Sequence, residues 1–350
     1  MKIVTIVGAR PQFIKASALT RELKNHREIK EVMVHTGQHY DKNMSAFFFG
    51  ELDIPSPHYN LEVGSETHGK QTAMMIERTE KVLLKEKPDW TIVYGDTNST
   101  IAGALAATKL HIKVAHVEAG LRSYNRLMPE EINRVATDHI SDLLFAPTRN
   151  AGNILAREGL KDKTVLTGDI MFDTLKYYEH ILNTENAATF AKPEKPYYLA
   201  TIHRQENTDN IERLRNIFKA FSGIRDTIIL PLHPRTKKYL NEVKVPPNVK
   251  IIEPTGYLNM LYLLKNCQKV LTDSGGLQKE AFLLKIPCIT LRDQTEWIET
   301  LTDGWNYVVG ANVSEILEKV HAAIPVHQNK YFGNGHAALK IVQSLIDRGA

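Results

Sequence analysis

The chain has 350 residues, 43% of them hydrophobic and 24% charged, with a formal net charge of +4. This length suits two α/β domains, and the small positive charge without a long lysine and arginine run argues against nucleic-acid binding. The first strand follows Met1 directly and no apolar run approaches ~20 residues, which argues against secretion and membrane spanning. We therefore expect a cytoplasmic protein.

Short apolar strands alternate with amphipathic stretches along the chain. The predicted strands of the front half are 2–7, 31–35, 90–94, 113–117, 143–145 and 164–166. After a polar stretch the pattern restarts with strands 197–202, 227–232, 249–252, 269–272 and 288–291. Such alternation is typical of parallel sheets covered by helices. The prediction is an α/β protein with two Rossmann-like, doubly wound parallel-sheet domains, residues 1–170 and 171–335, with a last helix, 336–350, packing back on the first.

The first predicted strand leads into a turn with anion-binding character. Gly8-Ala9-Arg10-Pro11 precedes a helical pattern, and Pro11 suits a first helical turn, where its missing N–H costs nothing. Arg10 and Lys15 bracket this turn with positive charge, and parallel sheets bind ligands beyond the carboxyl ends of their strands. We expect an anion site here. The alternatives are a solvated Lys15 and a surface ion pair of Arg10.

Three carboxylates follow the next strands. Asp96 comes directly after strand 90–94, Glu118 follows strand 113–117, and Glu130 lies in the first turn of a predicted helix. Crowded carboxylates raise one another's pKa and so suit proton donors and acceptors near neutral pH. Jointly the three residues indicate acid–base catalysis.

Each carboxylate also has a structural alternative. Asp96 would cap a helix, Glu118 would pair with Arg122, and Glu130 and Glu131 would favour the positive end of a helix dipole without any catalytic role.

Polar residues also follow the strands of the second half. His203 comes directly after strand 197–202 and is placed to act as an acid or to hold a phosphate, whereas His233 is expected to be structural. Arg292 follows strand 288–291 beside Asp293 and Glu296. A substrate-binding rim and a salt-bridged surface are both open interpretations for these residues.

The segment Thr272 to Glu280 combines a strand end, the pair Gly275-Gly276 and a helix start. Unpaired backbone N–H groups and the positive end of the helix dipole suit a phosphate there, and Glu280 is placed to accept hydrogen bonds from a sugar hydroxyl. This pattern indicates a nucleotide-sugar pocket. The alternative is an ordinary turn in which Ser274 caps the helix.

Motifs for other cofactors are missing from the sequence. It contains no HExxH, CxxC or GxGxxG pattern, so we expect no metal and no nicotinamide cofactor. Cys267 and Cys288 lie in apolar contexts and are expected to be reduced core residues.

Six motifs follow one another along the chain, from Lys2 to about Gly310. They are Gly8-Ala9-Arg10-Pro11 with Lys15, Tyr94-Gly95-Asp96-Thr97, His116-Val117-Glu118-Ala119-Gly120-Leu121-Arg122, Pro129-Glu130-Glu131-Ile132-Asn133-Arg134, His203-Arg204, and Thr272-Asp273-Ser274-Gly275-Gly276 with Glu280. In order and spacing they resemble the non-hydrolysing UDP-N-acetylglucosamine 2-epimerases. The resemblance implies a GT-B arrangement of the two domains with the active site in the cleft between them, a UDP-sugar substrate, no cofactor and a homodimer.

The resemblance also implies roles for individual residues. Asp96, Glu118, Glu130 and His203 would be the catalytic residues. The substrate would be bound by Arg10, Lys15, Arg134, Ser274, Gly275, Gly276, Glu280 and Arg292. The implied reaction removes the C2 proton, expels UDP to leave a 2-acetamidoglucal, and returns UDP with C2 inverted.

Three segments depart from the usual family pattern. Thr295-Glu296-Trp297-Ile298-Glu299 replaces Thr-Glu-Arg-Pro-Glu, His203-Arg204-Gln205-Glu206 replaces His-Arg-Arg-Glu, and Gln38-His39-Tyr40 replaces Gln-His-Arg. The last two segments belong to the allosteric site of bacterial members, and the resemblance does not carry that regulation over. Gln294 to Trp297, with the first two motifs, is closer to the branch that acts on UDP-2,3-diacetamido-2,3-dideoxyglucuronate for surface polysaccharides such as the O-antigen. Alternatives are a UDP-N-acetylglucosamine 2-epimerase, a GT-B glycosyltransferase, and a catalytically silent nucleotide-sugar sensor.

Overall fold

A computed structural model of the protein describes residues 1–38, 50–182 and 193–349. Two compact units are formed, Met1–Tyr177 with Lys330–Ala350 as unit 1 and Tyr178–Asn329 as unit 2. Within these described residues, each unit contains one sheet in which every pair of neighbouring strands is parallel. The predicted α/β class with two parallel sheets is confirmed. His39 and Tyr40 lie outside the described residues.

The sheet of unit 1 has seven strands in the order β3-β2-β1-β4-β5-β6-β7. The strands are β1 (Lys2–Val7), β2 (Lys30–His35), β3 (Tyr59–Asn60), β4 (Trp90–Tyr94), β5 (Lys113–Val117), β6 (Leu143–Ala146) and β7 (Thr164–Leu166). The described helices of this unit are α1 (Arg10–Leu23), α2 (His68–Glu86), α3 (Asn98–Lys109), α4 (Pro129–Ile140), α5 (Arg149–Arg157), α6 (Ile170–Leu182), which runs into unit 2, and α13 (Ala337–Gly349).

Helix α3 packs closely on the central strands because its inner face is built from small residues. Ala102, Ala104 and Ala107 are fully buried, and a side chain added at Gly103 would come within 2.7 Å of Ile6 Cδ1. The strand side of this core is apolar and β-branched, as expected for a sheet buried on both faces. Close packing fixes the carboxyl ends of β1 and β4 relative to the start of α3.

The sheet of unit 2 has six strands in the order β10-β9-β8-β11-β12-β13. The strands are β8 (Tyr197–Thr201), β9 (Thr227–Pro231), β10 (Val249–Ile252), β11 (Val270–Thr272), β12 (Cys288–Thr290) and β13 (Asn306–Val308). The described helices of this unit are α7 (Gln205–Thr208), α8 (Ile211–Ser222), α9 (Pro234–Lys237), α10 (Tyr257–Asn266), α11 (Gly275–Leu283) and α12 (Val313–His321). Short 3-10 turns lie at Leu240–Glu242 and Ile298–Gly304 in unit 2 and at Lys161–Lys163 in unit 1. Two apolar clusters, one on each face of the sheet, form the core.

Both cysteines belong to the interior of unit 2. Cys267 and Cys288 are buried and not disulfide-bonded, as expected. Burial raises the pKa of the Cys288 thiol to about 12 and also raises the pKa of Cys267, so neither is a reactive thiolate at neutral pH.

The ends of the chain meet in unit 1, where α13 packs against α1. Asp173 Oδ1 and Oδ2 accept hydrogen bonds from the first backbone N–H groups of α13, those of Ala338 (2.8 Å) and Ala337 (3.1 Å). Ile341 and Leu345 on the inner face of α13 are fully buried. Among the described residues, no helix is both long and apolar enough to cross a membrane.

Candidate active site

A buried glutamine orders the turn after β1. Gln12 Oε1 accepts hydrogen bonds from the backbone N–H of Gly8 (2.8 Å) and Ala9 (3.1 Å), and its Nε2 donates to the carbonyl of Tyr94 (2.9 Å). Helix α1 begins at Arg10 with Pro11 in its first turn, as predicted. Gln12 therefore joins the end of β1 to the end of β4, a role that the sequence did not reveal.

Lys15 and Glu118 form a buried ion pair beyond β1 and β5. Lys15 Nζ contacts Glu118 Oε1, and both side chains are almost completely buried. Lys15 is therefore not a solvated lysine, and the alternative pairing of Glu118 with Arg122 is wrong, because Arg122 Nη1 and Nη2 bind Asp138 and Glu158 instead. Glu118 has φ +70°, a conformation that non-glycine residues rarely adopt and that is concentrated at functional sites.

Asp96 is paired with an arginine. Arg134 Nη2 on α4 lies 2.5 Å from Asp96 Oδ2, and Asn133 Nδ2 donates to the Asp96 carbonyl at 3.0 Å. Asp96 is not the cap of α3, because Thr97 accepts the N–H of Thr100 and fills that role. The capping alternative is therefore wrong.

The two glutamates at the start of α4 differ in their surroundings. Glu131 is buried and accepts hydrogen bonds from Ser123 N (2.8 Å), Ser123 Oγ (2.9 Å) and Tyr124 N (2.9 Å), with Arg134 Nη1 at 3.2 Å. Glu131 thus stabilises the loop before α4. Glu130 is only half-buried, in the first turn of the same helix.

The start of α11 in unit 2 combines a capped helix with an open glycine. Ser274 Oγ accepts the N–H of Leu277 at 3.4 Å, so the capping interpretation of Ser274 is confirmed. A side chain at Gly275 would approach Glu296 Oε1 to 2.4 Å, whereas one at Gly276 would meet no atom within 4 Å. Glycine at 275 is therefore required by a neighbouring carboxylate, and the space at Gly276 is available to a ligand.

His203 is anchored by a buried aspartate. Asp273 is fully buried and accepts hydrogen bonds from the backbone N–H of His203 (2.9 Å) and Arg204 (2.9 Å) and from Asn207 Nδ2 (3.1 Å). His203 Nδ1 lies 3.3 Å from Asp273 Oδ1. His233, whose Nδ1 accepts the N–H of Arg235, caps α9, the structural role that was expected.

Arg292 lies in an acidic surrounding. Its Nη1 lies 2.9 Å from Glu296 Oε2, its Nε lies 3.8 Å from Glu206 Oε1, and its own side chain is almost fully buried. Burial raises the pKa of Glu206, against the influence of Arg292 and Arg213. Glu280, one helical turn beyond the glycine pair, is buried on α11.

The predicted residues thus fall into two groups. Unit 1 brings Lys15 and Glu118 into contact, and Asp96 and Arg134 into contact, with Glu130 on the helix that carries Arg134. Unit 2 brings Arg292 and Glu296 into contact beside Gly275. Gly275 lies at the start of α11, which Ser274 caps and which carries Glu280. Sequence reasoning missed Gln12, His116, Asp138 and Asp273 as supporting residues. For His116 and Asp273 the available signal was a polar residue at or next to the end of a predicted strand. Gln12 and Asp138 lie on helices and gave no such signal.

Paired carboxylates and cations at strand ends can move protons, and the open start of a helix can hold a phosphate. An α/β fold with both features is typical of enzymes that act on nucleotide-linked sugars. Residues 21–346 match the family described as UDP-N-acetylglucosamine 2-epimerase. The chain belongs to this family of isomerases.

Individual relatives agree with this assignment over the full length. The chain is 53% identical to a UDP-N-acetylglucosamine 2-epimerase homolog of Methanococcus maripaludis, over 99% of each chain. It is 46% identical to a UDP-2,3-diacetamido-2,3-dideoxy-D-glucuronate 2-epimerase of Pseudomonas aeruginosa, again over 99% of each. A crystal structure of the Methanocaldococcus jannaschii UDP-GlcNAc 2-epimerase in complex with UDP-GlcNAc and UDP is 49% identical, with a TM-score of 0.92 over 99% of this chain and 100% of that one.

Proposed function

We propose that the protein is a UDP-sugar 2-epimerase that converts UDP-2,3-diacetamido-2,3-dideoxyglucuronate to its manno epimer. The observation that carries the proposal is the pair of carboxylates, Asp96 and Glu118, each held by a cation at the ends of adjacent strands β4 and β5. Such groups can remove and return a proton from carbon while the cations stabilise developing negative charge.

In the proposed reaction a carboxylate among Asp96, Glu118 and Glu130 removes the proton from C2. The C–H electrons form a C1–C2 double bond, and the C1–O bond breaks so that its electron pair leaves with UDP. A second acid of the same group then protonates the other face of C2, and UDP adds back to C1. Lys15 next to Glu118 and Arg134 next to Asp96 position these carboxylates.

Unit 2 provides the proposed UDP site. The diphosphate would bind at the start of α11, where Ser274, Gly275 and the open Gly276 lie, and Glu280 would bind the ribose hydroxyls. His203, with Arg10 and Arg292, would stabilise the negative charge on the departing diphosphate.

Two substrates are supported by different observations. The motifs Gly8 to Lys15, Tyr94 to Thr100 and Gln294 to Trp297, together with the Pseudomonas relative at 46% identity, support the diacetamido uronate. The Methanocaldococcus UDP-N-acetylglucosamine 2-epimerase at 49% identity supports UDP-N-acetylglucosamine, with UDP-N-acetylmannosamine as product. A glycosyltransferase would use the same UDP site, but it requires a sugar acceptor.

Proton NMR of the enzyme with each UDP-sugar in parallel, without any acceptor, tests the substrate. We expect the manno epimer from the diacetamido uronate and much slower turnover of UDP-N-acetylglucosamine. Equal turnover of the simpler sugar would contradict the uronate assignment. Sugar transfer to an acceptor, with no epimer formed, would indicate the glycosyltransferase.

The chemistry predicts solvent exchange at C2. Product formed in heavy water should carry deuterium at C2, because the returning proton comes from a solvent-exchangeable acid. Asp96→Asn and Glu130→Gln should lower turnover by ~10²–10⁴, while UDP binding measured by calorimetry persists. Product without deuterium, or full turnover in both variants, would remove these carboxylates from the chemistry.

We further propose that the protein is a soluble homodimer in the cytoplasm. Its product would supply the synthesis of a surface polysaccharide, such as the lipopolysaccharide O-antigen. Symmetric dimers are the commonest assembly of soluble enzymes. Analytical ultracentrifugation at several protein concentrations tests the dimer, and a single monomeric species would contradict it.

A further inference from the structure

His116 lies in a buried polar cluster of unit 1, next to the loop that carries Asp96. The residue is fully buried on β5, two positions before Glu118. Its Nε2 lies 2.7 Å from the carbonyl oxygen of Gly95, and its Nδ1 lies 2.7 Å from Asp138 Oδ1. The imidazole therefore connects the loop that carries Asp96 with helix α4.

Both ring nitrogens of His116 face hydrogen-bond acceptors. A carbonyl oxygen can only accept, so Nε2 must carry a proton. Asp138 Oδ2 accepts hydrogen bonds from Arg122 Nη1 (2.7 Å) and Gly120 N (3.1 Å). Burial raises the pKa of Asp138, but the hydrogen bond and charge of His116 and Arg122 outweigh burial and keep this pKa below its ordinary value. Arg122, whose guanidinium is always charged, pairs with Asp138 Oδ2 at 2.7 Å and by itself favours the ionised carboxylate. Asp138 Oδ1 therefore accepts from His116 Nδ1, which must then also carry a proton.

The charges of this cluster balance. Arg122, which contacts Asp138, also donates to Glu158, from Nε to Oε1 at 2.9 Å and from Nη2 to Oε2 at 2.6 Å. Two cations, His116 and Arg122, thus face two anions, Asp138 and Glu158. Lys163, another cation near Asp138, donates instead to the carbonyl of Ser141 at 2.6 Å. A charged imidazole is therefore compensated by carboxylates of unit 1, directly by Asp138 and through Arg122 by Glu158.

The contacts of Gly95 show what this imidazole controls. Gly95 has φ +61°, and its N–H donates to the carbonyl of Val117 at 2.9 Å, so the peptide that leads into Gly95 is held against the peptide that leads into Glu118. The carbonyl of Gly95, which belongs to the peptide that leads into Asp96, accepts the hydrogen bond of His116 Nε2. Rotation of this peptide would move Asp96 directly.

We propose that His116 is a positioning residue, an imidazolium that remains protonated on both nitrogens and fixes the Gly95 peptide so that Asp96 and Glu118 keep their geometry. This inference rests on the proposed function, in which these carboxylates move the C2 proton. A misplacement of about 1 Å costs about 10²-fold in rate. His116 acts through Gly95 and does not touch the substrate.

The protonation state is measured without substrate by ¹⁵N NMR of the histidine rings. We expect both nitrogens of His116 to carry protons at neutral pH, because each nitrogen faces a hydrogen-bond acceptor. Asp138→Asn should leave a neutral ring, with Nε2–H still on Gly95 and Nδ1 accepting from the amide. An unprotonated ring nitrogen in the unmodified protein at neutral pH overturns the proposal, as does a doubly protonated ring in Asp138→Asn.

The positioning role is measured with His116→Gln, whose amide group can serve only one of the two acceptors. Its kcat should fall by about 10²-fold, with UDP affinity within about twofold of the unmodified enzyme. His139→Gln is the matched control, because His139 is an exposed histidine on α4, one residue after Asp138, and should keep full activity. Asp138→Asn retains the donor to Gly95 and should lose less than about tenfold.

Other outcomes decide against the proposal. Turnover of His116→Gln within about threefold of the unmodified enzyme overturns it, and so does a parallel loss of kcat and UDP affinity, which indicates general loosening. If His116→Gln does not fold, the ring spectrum and turnover of Asp138→Asn decide alone. An unmodified enzyme without epimerase activity contradicts the proposed function instead, and the NMR measurement still decides the state of His116.

Discussion

At the scale of single residues, the ion pair of Lys15 and Glu118 depends on a missing side chain. A Cβ at Gly95 would lie 3.1 Å from Lys15 Nζ and 3.5 Å from Glu118 Oε1, and Gly95 itself has φ +61°. Lys15 and Glu118 are 103 positions apart. Sequence reasoning could place each residue after a strand, but their pairing depends on the order of strands in the sheet.

Gly95→Ala should therefore impair catalysis beyond its effect on stability. The added methyl group presses on the ion pair, so we expect kcat to fall by about tenfold or more. Gly159→Ala is the matched control, because Gly159 also has positive φ (+79°) but no atom within 4 Å of the added group. Both variants should lose about 1 kcal/mol of unfolding free energy from backbone strain. Equal loss of activity in the two would contradict this explanation.

A carboxyl in the fold, away from the proposed chemistry, predicts pH-dependent stability. Glu31 Oε1 accepts hydrogen bonds from Thr5 Oγ1 (2.6 Å) and Thr20 Oγ1 (3.2 Å), and burial raises the pKa of Glu31 above 4.5. As pH rises, the unfolded chain releases the Glu31 proton at a lower pH than the folded chain does. The contribution of Glu31 to stability is therefore complete below pH 4.5 and is lost as pH rises through the pKa of Glu31 in the folded protein.

Glu31→Gln should keep both hydrogen bonds and remove the cost of ionisation. We expect a higher Tm at neutral pH and little change below pH 4.5. A gain of ~1 kcal/mol corresponds to roughly 2–4 °C in a domain of this size. Thermal unfolding at the two pH values measures the effect, and a gain that is equal at both would exclude the ionisation of Glu31 as its cause.

At the scale of elements, α4 has an unusual distribution of side chains. Its buried residues are Glu131, Arg134, Thr137 and Asp138, while Ile132 is 52% exposed. An ordinary surface helix buries an apolar stripe. Helix α4 is instead held by ion pairs and hydrogen bonds to the loops after β4 and β5, which is the kind of departure from local rules that is expected at functional sites.

The neighbouring glutamates of α4 should give opposite phenotypes. Glu131→Gln replaces a buried acceptor of three hydrogen bonds and should lower the unfolding free energy by about 1–3 kcal/mol. Glu130→Gln changes a half-buried residue and should leave stability within about 0.5 kcal/mol while abolishing most turnover. Urea unfolding and turnover, measured on both variants, decide the matter. A stability loss in Glu130→Gln alone would reverse the assignments.

Most strands were predictable from their apolar β-branched runs, and β1, β4, β5, β7 and β10 have the predicted bounds. The prediction missed β3 and β13, which have two and three residues and carry too little pattern to be recognised. It also did not identify α2, a helix of 19 residues whose buried positions include polar Gln71 and Thr79. The supporting residues of the site were hidden for a different reason, because partners of Gln12, Asp138 and Asp273 lie far away in sequence.

At the scale of the whole molecule, unit 1 is built from two separate parts of the chain, and α13 is joined to it by packing against α1. Ile341→Ala should lower the unfolding free energy by about 2–5 kcal/mol, since it leaves a cavity beneath the helix. Leu339→Ala, at a position 48% exposed on the same helix, is the control and should cost less than about 1 kcal/mol. Similar losses in both variants would contradict the inward orientation of Ile341.

This discontinuity affects how the protein is made on the ribosome. Translation must add all of unit 2 between Tyr177 and Lys330, roughly ten to thirty seconds of synthesis, before the residues of α13 exist. During that interval the surface of α1 that will meet α13 is uncovered, although the seven strands of its sheet have already emerged. Until α13 has been synthesised, the nascent first unit therefore exposes an apolar surface to which chaperones can bind.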